Sequence, residues 1–233
     1  MSWVGGLKMV EVIVFAEGQS EEAFIKHIVA PTLRPAQIYL KPQLLPTSKG
    51  AEGGAVSFER LKFNARNTLR QHPQAVLTTF LDLYGLAGDF PMFHEAKRVG
   101  DVYGRLDIME QALAAAISNH VGCRPERFIA YIQPHELEGL WFSDVGALVR
   151  TEPDWQKHLA SLQKVRACFT SPEHINDGYD TKPSRRLEDI LKPAYKKTRH
   201  APLIAGHVTL ATIEQECRHF KHWLDQLRGL AQA

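Results

Sequence analysis

Three apolar runs of strand length, each passing directly into carboxylates, constrain this chain most. Residues 10–21 read VEVIVFAEGQSE, residues 75–83 read AVLTTFLDL, and residues 127–138 read RFIAYIQPHELE. The runs are rich in β-branched and aromatic residues and apolar throughout, as in strands covered on both faces by helices. The first ends in Glu17, with Glu21 one helical turn further on; the second ends in Asp82; the third leads into Glu136 and Glu138. If the three strands lie parallel and adjacent, their C-terminal ends meet at one crevice, where open α/β sheets place their ligands. Up to five carboxylates would then gather there. Like charges at short range raise one another's pKa values or demand a counter-cation. A hard divalent metal with oxygen ligands meets that demand, and carboxylate-held Mg²⁺ characteristically acts on phosphate. Each acid also has a plainer reading. Ser20 and Glu21 suit a helix cap, Asp82 a turn and Glu138 a solvated helix position. It is the repetition at three strand ends that points to a site.

The segments between the runs alternate as an α/β fold requires. A helix is expected over residues 20–33, capped by Ser20 and broken by Pro31 and Pro35, and a further strand over residues 38–45. The stretch TSKGAEGG at 47–54 reads as a flexible loop. It carries Lys49 but is not a Walker A sequence. Residues 58–70 form a basic amphipathic helix, residues 84–101 are irregular, and residues 108–121 and 137–148 read as helical. Beyond residue 150 the pattern becomes mostly helical. Helices are expected at 155–169, 187–197 and 209–230, with a polar, turn-rich loop, SPEHINDGYDTKPSRR, at 171–186. Phe220, Trp223, Leu224 and Leu227 form a packing stripe. The expected organisation is an α/β domain over residues 9–150 with a helical region over 151–233 packed on it.

Composition excludes several classes. Twenty-eight Lys+Arg against 26 Asp+Glu leave a net charge of +2, too balanced to require a nucleic-acid partner by itself. Cys123, Cys168 and Cys217 are odd in number and far apart, which suits neither a disulfide framework nor a zinc knuckle and fits a reducing cytoplasm. HELE at 135–138 lacks the two-histidine zinc spacing. No run approaches a membrane span, and the opening MSWVGGLKM has neither the apolar core nor the cleavage site of a signal peptide. Met9 is a candidate start, with residues 1–8 as an extension.

The pattern Glu17-Gly18-x-x-Glu21 after an apolar strand, with a later strand ending in Asp82, resembles the Toprim domain of topoisomerases, primases and the overcoming-lysogenization-defect nucleases. More closely, EGQSEE at 17–22, FLDLYGLAGDFP at 80–91, YIQPHELEGLWFSD at 131–144, PEHINDGYDTKPSRRL at 172–187 and the segment from Lys196 to Leu227 resemble a bacterial family of unknown function placed near Toprim. That resemblance implies a Toprim-like, mostly parallel sheet flanked by helices. It also implies Mg²⁺- or Mn²⁺-dependent hydrolysis of DNA or RNA, and a setting beside an AAA-type ATPase in anti-phage defence. Glu17 looks like the Toprim glutamate, Glu21 like the second acid of the nuclease branch, and Asp82 like the first acid of an Asp-x-Asp element. Tyr84 stands where the second aspartate is expected; Asp89, Glu136 or Glu138 would substitute. Lys182, Ser184, Arg185, Arg186 and Lys197, with Lys196 and Arg199, are the candidate phosphate contacts. Two other classes stay open: a non-catalytic interaction or sensor subunit that keeps the fold, and a different phosphoryl-transfer enzyme.

Overall fold

The computed structural model describes residues 9–45, 55–176 and 178–232. The extension at 1–8, the glycine-rich loop at 47–54 with Lys49, and Asp177 lie outside the described residues.

Strand β1 (Val10–Ala16) lies between β2 (Ile38–Leu44) and β3 (Val76–Asp82), and β3 pairs at its outer edge with two short strands, β4 (Phe128–Ile129) and β5 (Ile132–Gln133). All of these pairings are parallel, in the order β2-β1-β3-β4. Alternate residues of β1 and β3 enter two separate cores. Val12, Val14, Val76 and Phe80 face one, and Ile13, Phe15, Leu77 and Leu81 face the other. The apolar-on-both-faces pattern of the sequence is therefore a three-layer α/β/α arrangement.

The single strand expected over 127–133 is two. Thr79 explains the break: its Oγ1 donates to the Tyr131 carbonyl at 2.7 Å and accepts from the Tyr131 N–H at 2.9 Å, so a side chain replaces the ladder there.

The first helix also departs from expectation. Helix α1 (Gln19–Phe24) has Gly18 as its N-cap residue, with no side-chain cap, and Ser20 lies inside the first turn. The Glu22 N–H bonds to the Gly18 carbonyl at 3.0 Å, so the helix starts before Ser20 can cap it. Pro31 does not end it. The chain widens into a π turn (Ile25–Val29) and continues as α2 (Ala30–Leu33). A widened turn of this kind accommodates the donor that proline lacks. The break comes at the 3₁₀ turn Arg34–Ala36, which holds Pro35.

Helix α3 (Phe58–Gln71) packs its Leu61, Ala65 and Leu69 into the second core. Ser57 Oγ accepts from the Arg60 N–H, and Asp89 takes the Phe58 N–H on both oxygens at 3.0 Å. Asp89 is thus committed to capping α3, away from the acids of the crevice. Removing it in Asp89→Ala is expected to cost about 1 kcal/mol. That is roughly a 2–4 °C fall in Tm for a chain of this length, read by thermal melting. A short helix, α4 (Phe93–Ala96), interrupts the stretch expected to be irregular. Helix α5 (Val102–Val121) begins earlier than its periodicity indicates, because Asp101 caps the Gly104 N–H at 3.1 Å.

After β5 the expected helix at 137–148 is a 3₁₀ segment (Leu137–Asp144) followed by α6 (Val145–Val149). Helix α7 (Leu159–Ala167) follows a further 3₁₀ turn (Pro153–His158). Part of the expected 171–186 loop is helical: Pro183 opens α8 (Pro183–Ile190), in the first turn where proline's missing N–H costs nothing. The helix expected to run to residue 197 stops at Ile190. A separate one, α9 (Lys197–His207), begins where that one was to end. Cys217 divides the last expected helix into α10 (Leu210–Glu216) and α11 (Arg218–Gly229).

Phe220, Trp223, Leu224 and Leu227 are buried as expected, in one core with Phe24, Phe80 and Tyr131. Trp223 Nε1 donates to Thr78 Oγ1 of β3 at 3.0 Å. Glu173 accepts from the His219 and Phe220 N–H groups at 3.0 and 2.9 Å, closing the N-terminus of α11 with a carboxylate. No described helix is long and apolar enough to cross a membrane.

Candidate functional site

Because β1, β3 and β5 run parallel in one sheet, their C-terminal ends bring Glu17, Asp82 and Glu136–Glu138 to one edge. Glu21 reaches the same place from the first turn of α1. Gly18 makes room for it: a Cβ on residue 18 would sit 2.9 Å from Glu21 Oε2. Gly85 does the same for Glu17, whose two carboxylate oxygens lie 2.5 and 2.6 Å from where a Cβ at that position would be.

The centre of the cluster is an ammonium group. Lys197 Nζ, from the first residue of α9, lies 2.9 Å from Glu21 Oε1, 3.4 Å from Glu138 Oε2 and 3.9 Å from Asp82 Oδ2. The side chains of Glu21, Asp82 and Glu138 are 2 %, 8 % and 0 % exposed, whereas that of Lys197 is 39 % exposed. The cation expected from the density of acids is thus supplied, in this structure, by the chain itself. Two of the acids keep further partners. Asp82 Oδ1 accepts the Leu137 N–H at 3.0 Å, and Glu138 Oε1 accepts from the Tyr195 hydroxyl at 3.1 Å. Glu17 Oε2 is buried and accepts no hydrogen bond from any described residue.

The electrostatics follow. Burial, then Glu21, pushes Glu17 up from 4.5 to about 7. Burial also raises Asp82 well above the carboxylate range; Lys197 opposes the shift, and the neighbouring acids add to it. Glu138 is raised in the same way. Burial pulls the Lys197 ammonium down, but Glu138, Asp82 and Glu21 outweigh it and hold it well above the ordinary lysine range.

Lys197 is held in place by its own segment. Tyr195 binds Glu138, the Lys196 N–H donates to His200 Nδ1 at 2.8 Å, and Arg199 and His200 both meet Glu152 Oε1. Lys196 and Arg199, read from sequence as phosphate contacts, thus help His200 to clamp the start of α9 over the acids.

The other sequence candidates divide. Glu136 stands beside the cluster but bonds elsewhere: Oε1 to Lys182 Nζ at 3.0 Å and Oε2 to the Ser184 N–H at 3.0 Å. Lys182 also lies 4.6 Å from the centre of the Tyr84 ring. Lys182, Ser184 and Lys197 therefore adjoin the acids. Arg185 instead pairs along its own helix with Glu188 and Asp189, at 3.6 and 3.3 Å. Arg186 donates to the Thr181 carbonyl and stacks on Phe169. Tyr84, 41 % exposed, follows Asp82 in a 3₁₀ turn whose N–H bonds to the His135 carbonyl at 3.0 Å.

A hard cation suits the donors available. All are carboxylate oxygens, they converge on one point, and Glu17 Oε2 is buried without a donor. Their spacing is that of oxygens around an ammonium, wider than the 2.0–2.1 Å of Mg²⁺–oxygen bonds. Among the described residues no three acidic, histidine or cysteine side chains are spaced for a metal as they stand. Metal entry therefore requires Lys197 to withdraw and the acids to close.

A family model described as "Domain of unknown function (DUF4276)" matches residues 16–228. The chain belongs to that family. The family match thus spans the whole acidic edge, Glu17 through Glu138, together with Lys182 and Lys197. No curated protein and no solved structure is detectably similar.

Lys197 as the centre of the acids, Gly85 as the neighbour of Glu17, and Tyr195 and Glu152 as supports escaped the sequence reading. The glycine after the Asp82 turn was the one local signal available. A tight turn packed against a side chain requires a residue without a Cβ.

Proposed function

We propose that this DUF4276 chain is a Toprim-like nuclease that uses Mg²⁺ or Mn²⁺ to hydrolyse phosphodiester bonds of DNA or RNA in the cytoplasm. In this reading it is the effector of an anti-phage defence system with an AAA-type ATPase partner. The observation that carries the reading is the convergence of Glu21, Asp82 and Glu138 on a single cation position, with the Glu17 carboxylate at the end of β1 close enough for Glu21 to raise its pKa. These four residues would hold the metal, with Glu136 adjoining. When bound, a divalent cation supplies charge for a scissile phosphate and a more acidic water. Lys197, once displaced from the acids, and Lys182 on the Glu136 side place two ammonium groups at the rim for a phosphate oxygen. Glu17, with a pKa about 7, can take up or release a proton near neutral pH.

The test is cleavage of single- and double-stranded DNA and RNA by the purified chain with Mg²⁺ or Mn²⁺, alone and with the partner ATPase. Metal-dependent cleavage is expected, reduced roughly 100-fold or more in Glu17→Ala. If both proteins behave alike on every substrate, the reading is wrong.

One observation favours a second reading, a non-catalytic interaction or sensor subunit. Lys197 already neutralises the cluster, and Tyr84 occupies the place of the second Toprim aspartate. Calorimetry separates the two: heat of Mn²⁺ binding lost in Glu17→Ala supports the nuclease, and no binding supports the subunit.

A further inference from the structure

Directly beyond the acids lies a cavity of about 250 Å³ lined by Leu83, Tyr84, Phe93, Lys97, Arg105 and Met109. Its composition is selective. Leu83 and Met109 make an apolar floor, Tyr84 and Phe93 present aromatic rings, and Lys97 and Arg105 bring positive charge. Among the described residues no acidic one lines it. Lys97 Nζ already lies 4.3 Å from the centre of the Phe93 ring, so cation and ring form one surface. A ligand matching such a wall has a flat aromatic part and an anionic part. A base stacks on exposed aromatic rings irrespective of its identity, and lysine and arginine take phosphate.

The cavity also adjoins the acidic edge through the chain. Leu83 and Tyr84 follow Asp82 directly, and Gly85 touches the Glu17 carboxylate. Across the Tyr84 ring stands Lys182, bonded to Glu136. The residue that departs from the expected Asp-x-Asp pattern is therefore the wall between the acids and the cavity.

We propose that this cavity is a nucleotide subsite: it takes one nucleotide, base against Tyr84 and Phe93 and phosphate against Lys97 and Arg105. The choice of ligand rests on the nuclease reading. A volume of about 250 Å³ restricts the ligand to one nucleotide unit at most, either a free nucleoside monophosphate or one unit of a single strand.

The test is binding in the presence of chelator, so that no metal-dependent step contributes. Two probes are titrated: nucleoside monophosphates by calorimetry, and short fluorescein-labelled single-stranded DNA and RNA by anisotropy. Tyr84→Ala and Lys97→Glu, both at exposed side chains, are expected to bind about tenfold more weakly, and Tyr84→Phe to bind like wild type. Monophosphate binding as tight as that of the oligonucleotides assigns the cavity to free nucleotides; much tighter oligonucleotide binding assigns it to a strand. Absence of binding by wild type, or unchanged affinity in Tyr84→Ala and Lys97→Glu, overturns the subsite even if metal-dependent cleavage is found. Binding with the expected losses but no cleavage under any metal keeps the subsite and removes the nuclease.

Discussion

Lys197→Met is expected to lower the stability of the metal-free chain by about 3 kcal/mol at pH 7.5, and Mn²⁺ to restore much of that loss. Methionine keeps the length and apolar stem of lysine and removes only the charge. What remains is a set of buried acids, Glu21, Asp82 and Glu138, facing one another with no cation between them. Removing one partner of a buried ion pair typically costs 3–5 kcal/mol. The lower end applies because the Lys197 side chain is 39 % exposed and water already screens part of its charge. For a chain of this length that corresponds to a Tm fall of roughly 6–12 °C. The rescue rests on the proposed metal site. A cation that binds only the folded state stabilises by about 2.7 kcal/mol at a concentration a hundredfold above its Kd. It binds the variant more tightly than the wild type, because no ammonium has to leave. Thermal melts of both proteins with chelator and with Mn²⁺ read the whole prediction. Equal melting of the two proteins in chelator would show that Lys197 is not the balancing charge. A loss that Mn²⁺ leaves untouched would argue against the carboxylates as a metal site.

Glu17→Gln is expected to act in the opposite direction. The Glu17 carboxyl has a pKa about 7 in the folded chain against 4.5 as its ordinary value, so between those values the folded state holds more protons than the unfolded state. Stability therefore falls as pH rises from about 4.5 to about 7 and is level above that range, as far as this group contributes. Two and a half units correspond to about 3 kcal/mol, reduced to about 2–3 kcal/mol for a side chain that is only partly buried. Glutamine cannot ionise. In chelator the variant should match the wild type below pH 4 and exceed it by that margin at pH 8. Asp82 feels the Glu17 charge, so the difference between the two pH profiles reports residue 17 together with its coupling to Asp82. Urea melts from pH 4 to 8 measure it; parallel profiles would refute the assignment. With saturating Mn²⁺ the order is expected to reverse, because the wild type then gains a ligand bond that glutamine supplies poorly.

The sheet was legible because its signal is local. β1, β2 and β3 are continuous runs long enough to be read as they stand, and the acids at the ends of β1 and β3 follow in sequence. The remainder was set by contacts that no window of sequence contains. Thr79 splits one expected strand into β4 and β5 by bonding Tyr131 with its side chain. Asp89 reads as a spare ligand beside Asp82, yet the packing of α3 turns it into a cap. Arg185 and Arg186 share a cationic stretch with Lys182, but helix α8 turns Arg185 along its own surface and Arg186 onto Thr181 and Phe169. Lys197 reads as one cation of a basic segment. Only the docking of α9, through Tyr195, Arg199 and His200, sets its ammonium among acids that are distant in sequence. The acids announced that a cation was needed; its identity depended on tertiary packing.

The contact between Gly85 and Glu17 has a consequence for how such chains can diverge. A side chain of any size at position 85 would occupy the space that the Glu17 carboxylate fills. Alanine at 85 therefore forces the Glu17 carboxylate to move from its place, and meets no such obstacle once the acid is lost. The side chain that one of the two positions can hold thus depends on the other.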